Sequence, residues 1–200
     1  MQTISSAEIR FTPELHNAVA QYRHKIFIER LGWNLPAIDG QEIDQFDLRD
    51  TVYVVAKDYQ GGIIGCARLL PTTNPYLLGD VFPHLMHGQP IPCASDIWEL
   101  SRFACNPSMP TVKSSALDTL YYARALLRDT IIIAAEMGAA RLITVVTAGV
   151  ERLITRVGAH VHRAGPPVNV DGKPTLACWI EIDDQTKSML GIPLPCQASQ

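Results

Sequence analysis

The chain has 200 residues, 47% hydrophobic and 18% charged, with a formal net charge of −3. That size and mixture suit one globular domain with a sizeable core, and the slightly acidic balance excludes the basic footprint of a nucleic-acid binder. No apolar run approaches the roughly 20 residues needed to span a bilayer.

The first predicted element is a helix. Thr12 suits its N-cap, Pro13 its first turn, and Gly32 its end. Leu15, Ala18, Val19, Tyr22 and Ile26 recur at helical spacing as a core stripe, with Arg23, Phe27 and Arg30 on an adjacent one. Residues 39–50, DGQEIDQFDLRD, hold five acids and one arginine without a sustained period, and read as a loop or short irregular helix. TVYVVAK (51–57) and GIIGCARLL (62–70) are β-rich runs joined by DYQGG, a hairpin signal. Residues 71–95, rich in proline and glycine, form a long excursion before the strand IWELSRFAC (97–105).

A long helix is predicted from about 114 to 137, with Leu117, Leu120, Tyr121, Leu127, Ile131 and Ala134 facing inward. RLITVVT (141–147) is a buried strand, and Val150, Leu153, Ile154 and Val157 mark a second helix that ends at Gly158. HVHRA (160–164) and TLACWIEI (175–182) are the closing strands. The order α-β-β-β-α-β-α-β-β predicts a single α/β sandwich over residues 1–200, with a mixed central sheet flanked by helices.

Several chemistries lack their motifs. There is no G-x-x-x-x-G-K-[ST], G-x-G-x-x-G or G-x-S-x-G. The close histidine pairs, His84 with His87 and His160 with His162, have no carboxylate or cysteine at ligand spacing, so no metal site is expected. The five cysteines form no C-x-x-C pair, nothing near Cys105 would activate its thiol, and no apolar leader follows the N-terminus. A cytoplasmic protein with free thiols is expected.

The strand at 97–105 carries Glu99 and Arg102 among core-like neighbours, and either would be costly to bury unpaired. Strict alternation would place Glu99, Ser101 and Phe103 on one face and Trp98, Leu100 and Arg102 on the other, unless a bulge intervenes. With Arg23, Phe27, Trp33, Asp44, Asp47, Arg68 and Phe82, these charges complete the order R-x3-F-x5-W-x10-D-x2-D-x20-R-x13-F-x16-E-x2-R. That order, with the contexts YRHKIFIERLGW, DQFDLRDTVYVVA, GCARLLPTT and WELSRFA, resembles the acyl-homoserine-lactone synthases, the autoinducer synthases of quorum sensing.

The resemblance implies a fold like that of the GNAT acetyltransferases, with a cleft where neighbouring strands splay apart. It implies two substrates: S-adenosylmethionine, consumed as a substrate with no separate cofactor, and an acyl chain delivered as a thioester, usually on acyl carrier protein. Asp44, Asp47, Trp33 and Phe27 suit the sulfonium, while Arg23, Arg68 or Arg102 suits the carboxylate. Phe82 and Phe103 complete the expected S-adenosylmethionine set. Glu99 is the candidate base, with Asp44 or Asp47 as alternatives, and Arg68 and Arg102 join the catalytic set. Leu100, Phe103, Leu120, Thr144, Val146 and Trp179 are candidate acyl-chain linings. Residues 113–164 carry seven Lys/Arg against four Asp/Glu, so Arg124, Arg128, Arg152 and Arg156 are the expected carrier-protein contacts. An acetyl-CoA-dependent N-acetyltransferase would want a glycine-rich pyrophosphate loop, and VVTAGVERL lacks it. A non-catalytic sensor is disfavoured by the intact acid–base set.

Overall fold

The computed structural model describes residues 1–106 and 115–194. A short strand β1 (Gln2–Ser5) precedes helix α1 (Pro13–Arg23). Thr12 caps α1 by accepting the Leu15 N–H at 3.3 Å. The helix does not run on uniformly. It widens into a π-helix, His24–Arg30, with Leu31 bonding back to Ile26 and Trp33 to Phe27. The acidic segment contains a small hairpin of β2 (Ala37–Ile38) and β3 (Gln41–Glu42), turned by Asp39 and Gly40 at φ 51° and 73°.

The predicted hairpin follows as β4 (Val52–Lys57) and β5 (Ile63–Pro71). The excursion holds α2 (Leu77–Asp80) and a 3-10 turn (Pro83–Met86), and leads to β6 (Ile97–Cys105). Then come α3 (Ala116–Glu136), β7 (Arg141–Thr147), α4 (Ala148–Arg156), β8 (His160–Arg163), β9 (Val168–Val170), β10 (Lys173–Glu181) and α5 (Asp184–Leu190). Ser115 and Asp118 form a reciprocal capping box at the start of α3. The predicted start of that helix, at 114, lies outside the described residues.

The main sheet has the order β1-β4-β5-β6-β7-β10-β8, with β9 also on β10. All its pairings are antiparallel except β6 with β7. The mixed α/β sandwich is therefore as expected. Helices α3 and α4 cover one face over a core of Leu100, Leu126, Leu127, Ile131, Leu142 and Leu176, all fully buried. Each such leucine or isoleucine contributes about 1.5–3 kcal/mol from burial alone. Helix α1, the π-helix and the excursion cover the other face, around Phe27, Phe46, Leu78 and Leu85.

Two residues predicted to face inward on α3 do not. Leu117 and Tyr121 are 74% and 67% exposed. At roughly 100° per residue, Tyr121 lies about 120° around the helix from Leu127, which defines the buried stripe. Neither β1 nor α5 was expected, since each is too short to show a period. Among the described residues no helix is long and apolar enough to cross a membrane. Cys66, Cys93, Cys105 and Cys178 are free thiols, and Cys196 lies outside the described residues.

The excursion is tied to the C-terminal half of the sheet. His87 Nε2 lies 2.8 Å from the Pro166 carbonyl, and the Gln89 side-chain amide donates to the Ala164 carbonyl at 2.9 Å. Gly165 permits this approach, because a Cβ there would fall 2.1 Å from the His87 ring.

Candidate active site

Three arginines from three elements meet the acidic segment in a buried network. Arg23 comes from the end of α1, Arg68 from the middle of β5 and Arg102 from β6, and all three are at least nine-tenths buried. Arg23 donates to Asp47 from both terminal nitrogens, at 2.7 and 3.0 Å, and through Nε to Glu42 at 2.5 Å. Arg68 donates to Asp44 at 2.6 and 3.1 Å, to Asp47 at 2.8 Å, and through Nε to the Ser101 hydroxyl at 3.0 Å. Arg102 forks onto Glu42, with its closest contact at 2.9 Å, and reaches Asp44 at 2.8 Å. The Tyr53 hydroxyl donates to Asp47. Three cations thus face three carboxylates, the arrangement that makes buried charge tolerable.

Strand β6 reaches this network through a bulge, so the strict alternation expected for it is corrected. Cys66 pairs with Ala104 and Arg68 with Ser101, leaving one residue of β5 opposite two of β6. Arg102 takes φ 51°, left-handed for a side chain that rarely adopts it. Ser101 and Arg102 consequently share the network's face, with Glu99 and Ala104. Phe103 is displaced to the opposite face, where it packs with Leu100 and the α3 core. The Arg102 guanidinium lies 5.6 Å from the centre of the Phe27 ring, which packs against the tilted Trp33 ring at 5.0 Å.

Glu99 stands apart from the network. Its two oxygens accept the Leu77 and Leu78 N–H groups at 3.0 and 2.7 Å, at the start of α2. Burial pushes its pKa up to about 7, against the pull of those amides and of the Arg68 and Arg102 charges. Asp47 behaves oppositely: burial would raise it, but Arg23, Arg68 and Tyr53 hold it far below the ordinary range. Glu42 is likewise held low, with burial outweighed by Arg102 and Arg23. One carboxyl of the site therefore exchanges a proton near neutral pH while two carboxylates of its salt-bridge network stay ionised.

Glu99 also marks a parting of the sheet. Strands β6 and β7 pair only from Ile97↔Arg141 to Glu99↔Ile143, and both run on beyond that point without pairing to each other. A gap in the sheet's hydrogen bonding opens there, at the position of the expected cleft.

Seven expected site residues, Arg23, Phe27, Trp33, Asp44, Asp47, Arg68 and Arg102, gather in or against the network. Phe82 packs farther along the same face, among the side chains of the excursion. Of the acyl-lining candidates, Leu100, Phe103, Leu120 and Val146 collect on the α3 face. Alternation along β7 sends Thr144 to that face as well, whereas Trp179 packs on the other, beneath Arg141 at 4.1 Å. Among the docking candidates, Arg124 is bonded to the Met189 carbonyl and Arg128 to Asp129. Arg152 and Arg156 are exposed on α4. Four participants were missed: Glu42, Tyr53, Ser101, and Phe46 beneath the Arg68 guanidinium at 5.8 Å. Counting three arginines against two aspartates would have called for a third acid.

The comparisons with known proteins agree with this architecture. A sequence model described as autoinducer synthase matches residues 8–190. An acyl-homoserine-lactone synthase of Ralstonia solanacearum is 48% identical over 195 residues, covering 96% of this chain and 95% of that protein. The crystal structure of TofI in a ternary complex with an inhibitor and MTA superposes with a TM-score of 0.85 at 43% identity, covering 96% and 98% of the two chains. BjaI, a CoA-dependent acyl-homoserine lactone synthase solved with SAM and isopentyl-CoA, gives a TM-score of 0.79 at 27% identity over 96% and 89%. A putative N-acetyltransferase from Lactobacillus plantarum, at 18% identity and a TM-score of 0.58 over 90% and 97%, shares the fold alone. With its sheet parting at Glu99 and its three-arginine network beside the cleft, the chain belongs to the autoinducer synthase family and is an acyltransferase that makes an acyl-homoserine lactone.

Proposed function

We propose that the chain acylates the α-amine of S-adenosylmethionine with an acyl group delivered on acyl carrier protein, then closes the lactone and releases methylthioadenosine. The observation that carries this reading is the position of Glu99. It is a buried carboxyl poised near pH 7, at the point where β6 and β7 part, beside a network with guanidinium and aromatic groups.

In the first step the amine nitrogen attacks the thioester carbonyl. Glu99 takes the proton, directly or through a water, and the thiol leaves. The extra residue of the Arg102 bulge offers a backbone N–H for the oxyanion. In the second step a carboxylate oxygen of the same molecule attacks its γ-carbon, the carbon–sulfur bond breaks, and the sulfonium leaves as neutral methylthioadenosine. No protein nucleophile is needed. The enzyme's contribution is to hold the chain bent, with Phe27 and Trp33 near the sulfonium. S-adenosylmethionine is consumed, and the reading calls for no further cofactor.

The carrier-protein donor is supported by Arg152 and Arg156, exposed cations on one face of α4 facing away from the sheet. Incubation with S-adenosylmethionine and acyl carrier proteins of graded chain length, in parallel with the matching acyl-CoAs, tests both parts by mass spectrometry. Equal amounts of acyl-homoserine lactone and methylthioadenosine are expected, with a lower KM for the carrier protein. Better turnover with CoA would replace the donor assignment, and no lactone from any donor would refute the reading.

A further inference from the structure

Lys173 bridges the two halves of the molecule at the wide end of the cleft. It begins β10, two residues before Thr175, which pairs with Thr147 at the far end of β7. Along β6 the corresponding far end is Ala104, which packs against the cluster of Tyr22, Ile26, Phe27 and Cys66, as Trp33 also does. From the β10 side, Lys173 Nζ donates to the Leu31 carbonyl at 3.0 Å, across 142 positions of sequence. That carbonyl ends the π-helix, where the helix dipole favours a cation. The same ammonium lies 5.9 Å from the centre of the Trp33 ring.

These contacts complete a column. The Arg102 guanidinium lies over Phe27, Phe27 packs against Trp33 at a tilt, and Lys173 approaches Trp33, with separations of 5.6, 5.0 and 5.9 Å. One end of the column is the buried network, and the other is the half-exposed Lys173. Because β6 and β7 share no ladder beyond Glu99, the backbone does not hold the two walls together at this end. Among the described residues, the ties that His87 and Gln89 make between the halves fasten the excursion and do not reach the π-helix.

We propose that Lys173 is a positioning residue: it ties the 31–33 segment to the opposite wall across the open end of the cleft, and so holds Trp33 against Phe27 for S-adenosylmethionine. The inference rests on the proposed function, which gives these two rings to that substrate. Lys173 itself touches no reacting atom. Its loss therefore loosens the binding of S-adenosylmethionine and leaves the chemical step alone.

The test compares Lys173→Met and Lys173→Gln with Lys173→Arg, after melting curves have confirmed folding. Met keeps the length of the stem and removes the cation and its donors, whereas Arg keeps both. A half-exposed cation–π contact together with one charged hydrogen bond predicts a rise of roughly five-fold in KM for S-adenosylmethionine in the Met and Gln variants. The predicted kcat and KM for the acyl donor are unchanged, and Arg restores most of the loss. An unchanged or lowered KM for S-adenosylmethionine, a fall in kcat alone, or failure of Arg to restore would each overturn the proposal. Calorimetric binding of S-adenosylmethionine to the same proteins separates the two ideas. Wild-type binding without lactone formation counts against the proposed function and still reads the tie, whereas equal affinity in wild type and Lys173→Met counts against the tie.

Discussion

Replacing Glu42 by Gln removes one negative charge from a network of three arginines and three carboxylates while keeping the volume. Glu42 is fully buried and takes Arg23 Nε at 2.5 Å and the Arg102 fork at 2.9–3.3 Å. A glutamine oxygen can keep one of these partners. Its amide nitrogen then faces a guanidinium, donor against donor, and a cation is left uncompensated. Breaking a buried ion pair from one side costs about 3–5 kcal/mol. In a domain of this size that lowers Tm by roughly 6–20 °C. Calorimetry or chemical denaturation of both proteins from pH 7 down to about pH 2 provides the measurement. Because the folded-state pKa of Glu42 is depressed from the 4.5 of a free glutamate, its contribution is present above about pH 4.5 and disappears as pH falls through the lowered value. The gap between wild type and variant should therefore be widest near neutrality and shrink on acidification. A fall of less than about 2 °C at pH 7, or a gap that does not narrow in acid, would refute the charge-balance reasoning.

Three further outcomes are expected. For Glu99→Gln, turnover falls by at least about 100-fold with little change in S-adenosylmethionine affinity, in line with loss of a general base; the wild-type rate rises with pH through about 7, and that limb is absent from the residual rate of the variant. Ser101→Ala leaves the Arg68 Nε without its 3.0 Å acceptor, which destabilises by about 1–2 kcal/mol, readable as a lower denaturation midpoint at unchanged m-value. Reversing Arg152 and Arg156 to Glu raises KM for an acyl carrier protein and steepens nothing with acyl-CoA; equal kinetics with both donors would remove these residues from docking.

Much of the frame was legible because its signals are local. β4 and β5 show as apolar runs around a glycine turn, α3 as a long period, and the nine-residue order as fixed spacings. The bulge at Arg102 was not, because neither glycine nor asparagine marks it. It follows from seating two arginines of adjacent strands on one set of acids. Glu42 was hidden for a related reason: an acid in a segment without period looks solvated until two guanidiniums, from Arg23 and Arg102, converge on it. Lys173 and Leu31 lie too far apart in the chain for any local rule to join them, and the displacement of Phe103 depended on the bulge alone. Conversely, Leu117 and Tyr121 show how a helix can carry apolar residues beyond the stripe it buries.

The early end of the β6–β7 ladder gives this sheet four edges, two outer and two facing each other inside. Beyond Glu99 and Ile143, the described residues provide no neighbouring strand for the inward sides of Leu100–Cys105 and Thr144–Thr147. Backbone amides on those sides should exchange their hydrogens at rates typical of sheet borders, although they lie at the middle of the strand order. Occupancy of the cleft would then register as slowed exchange along two central strands, a signature that needs neither turnover nor a label.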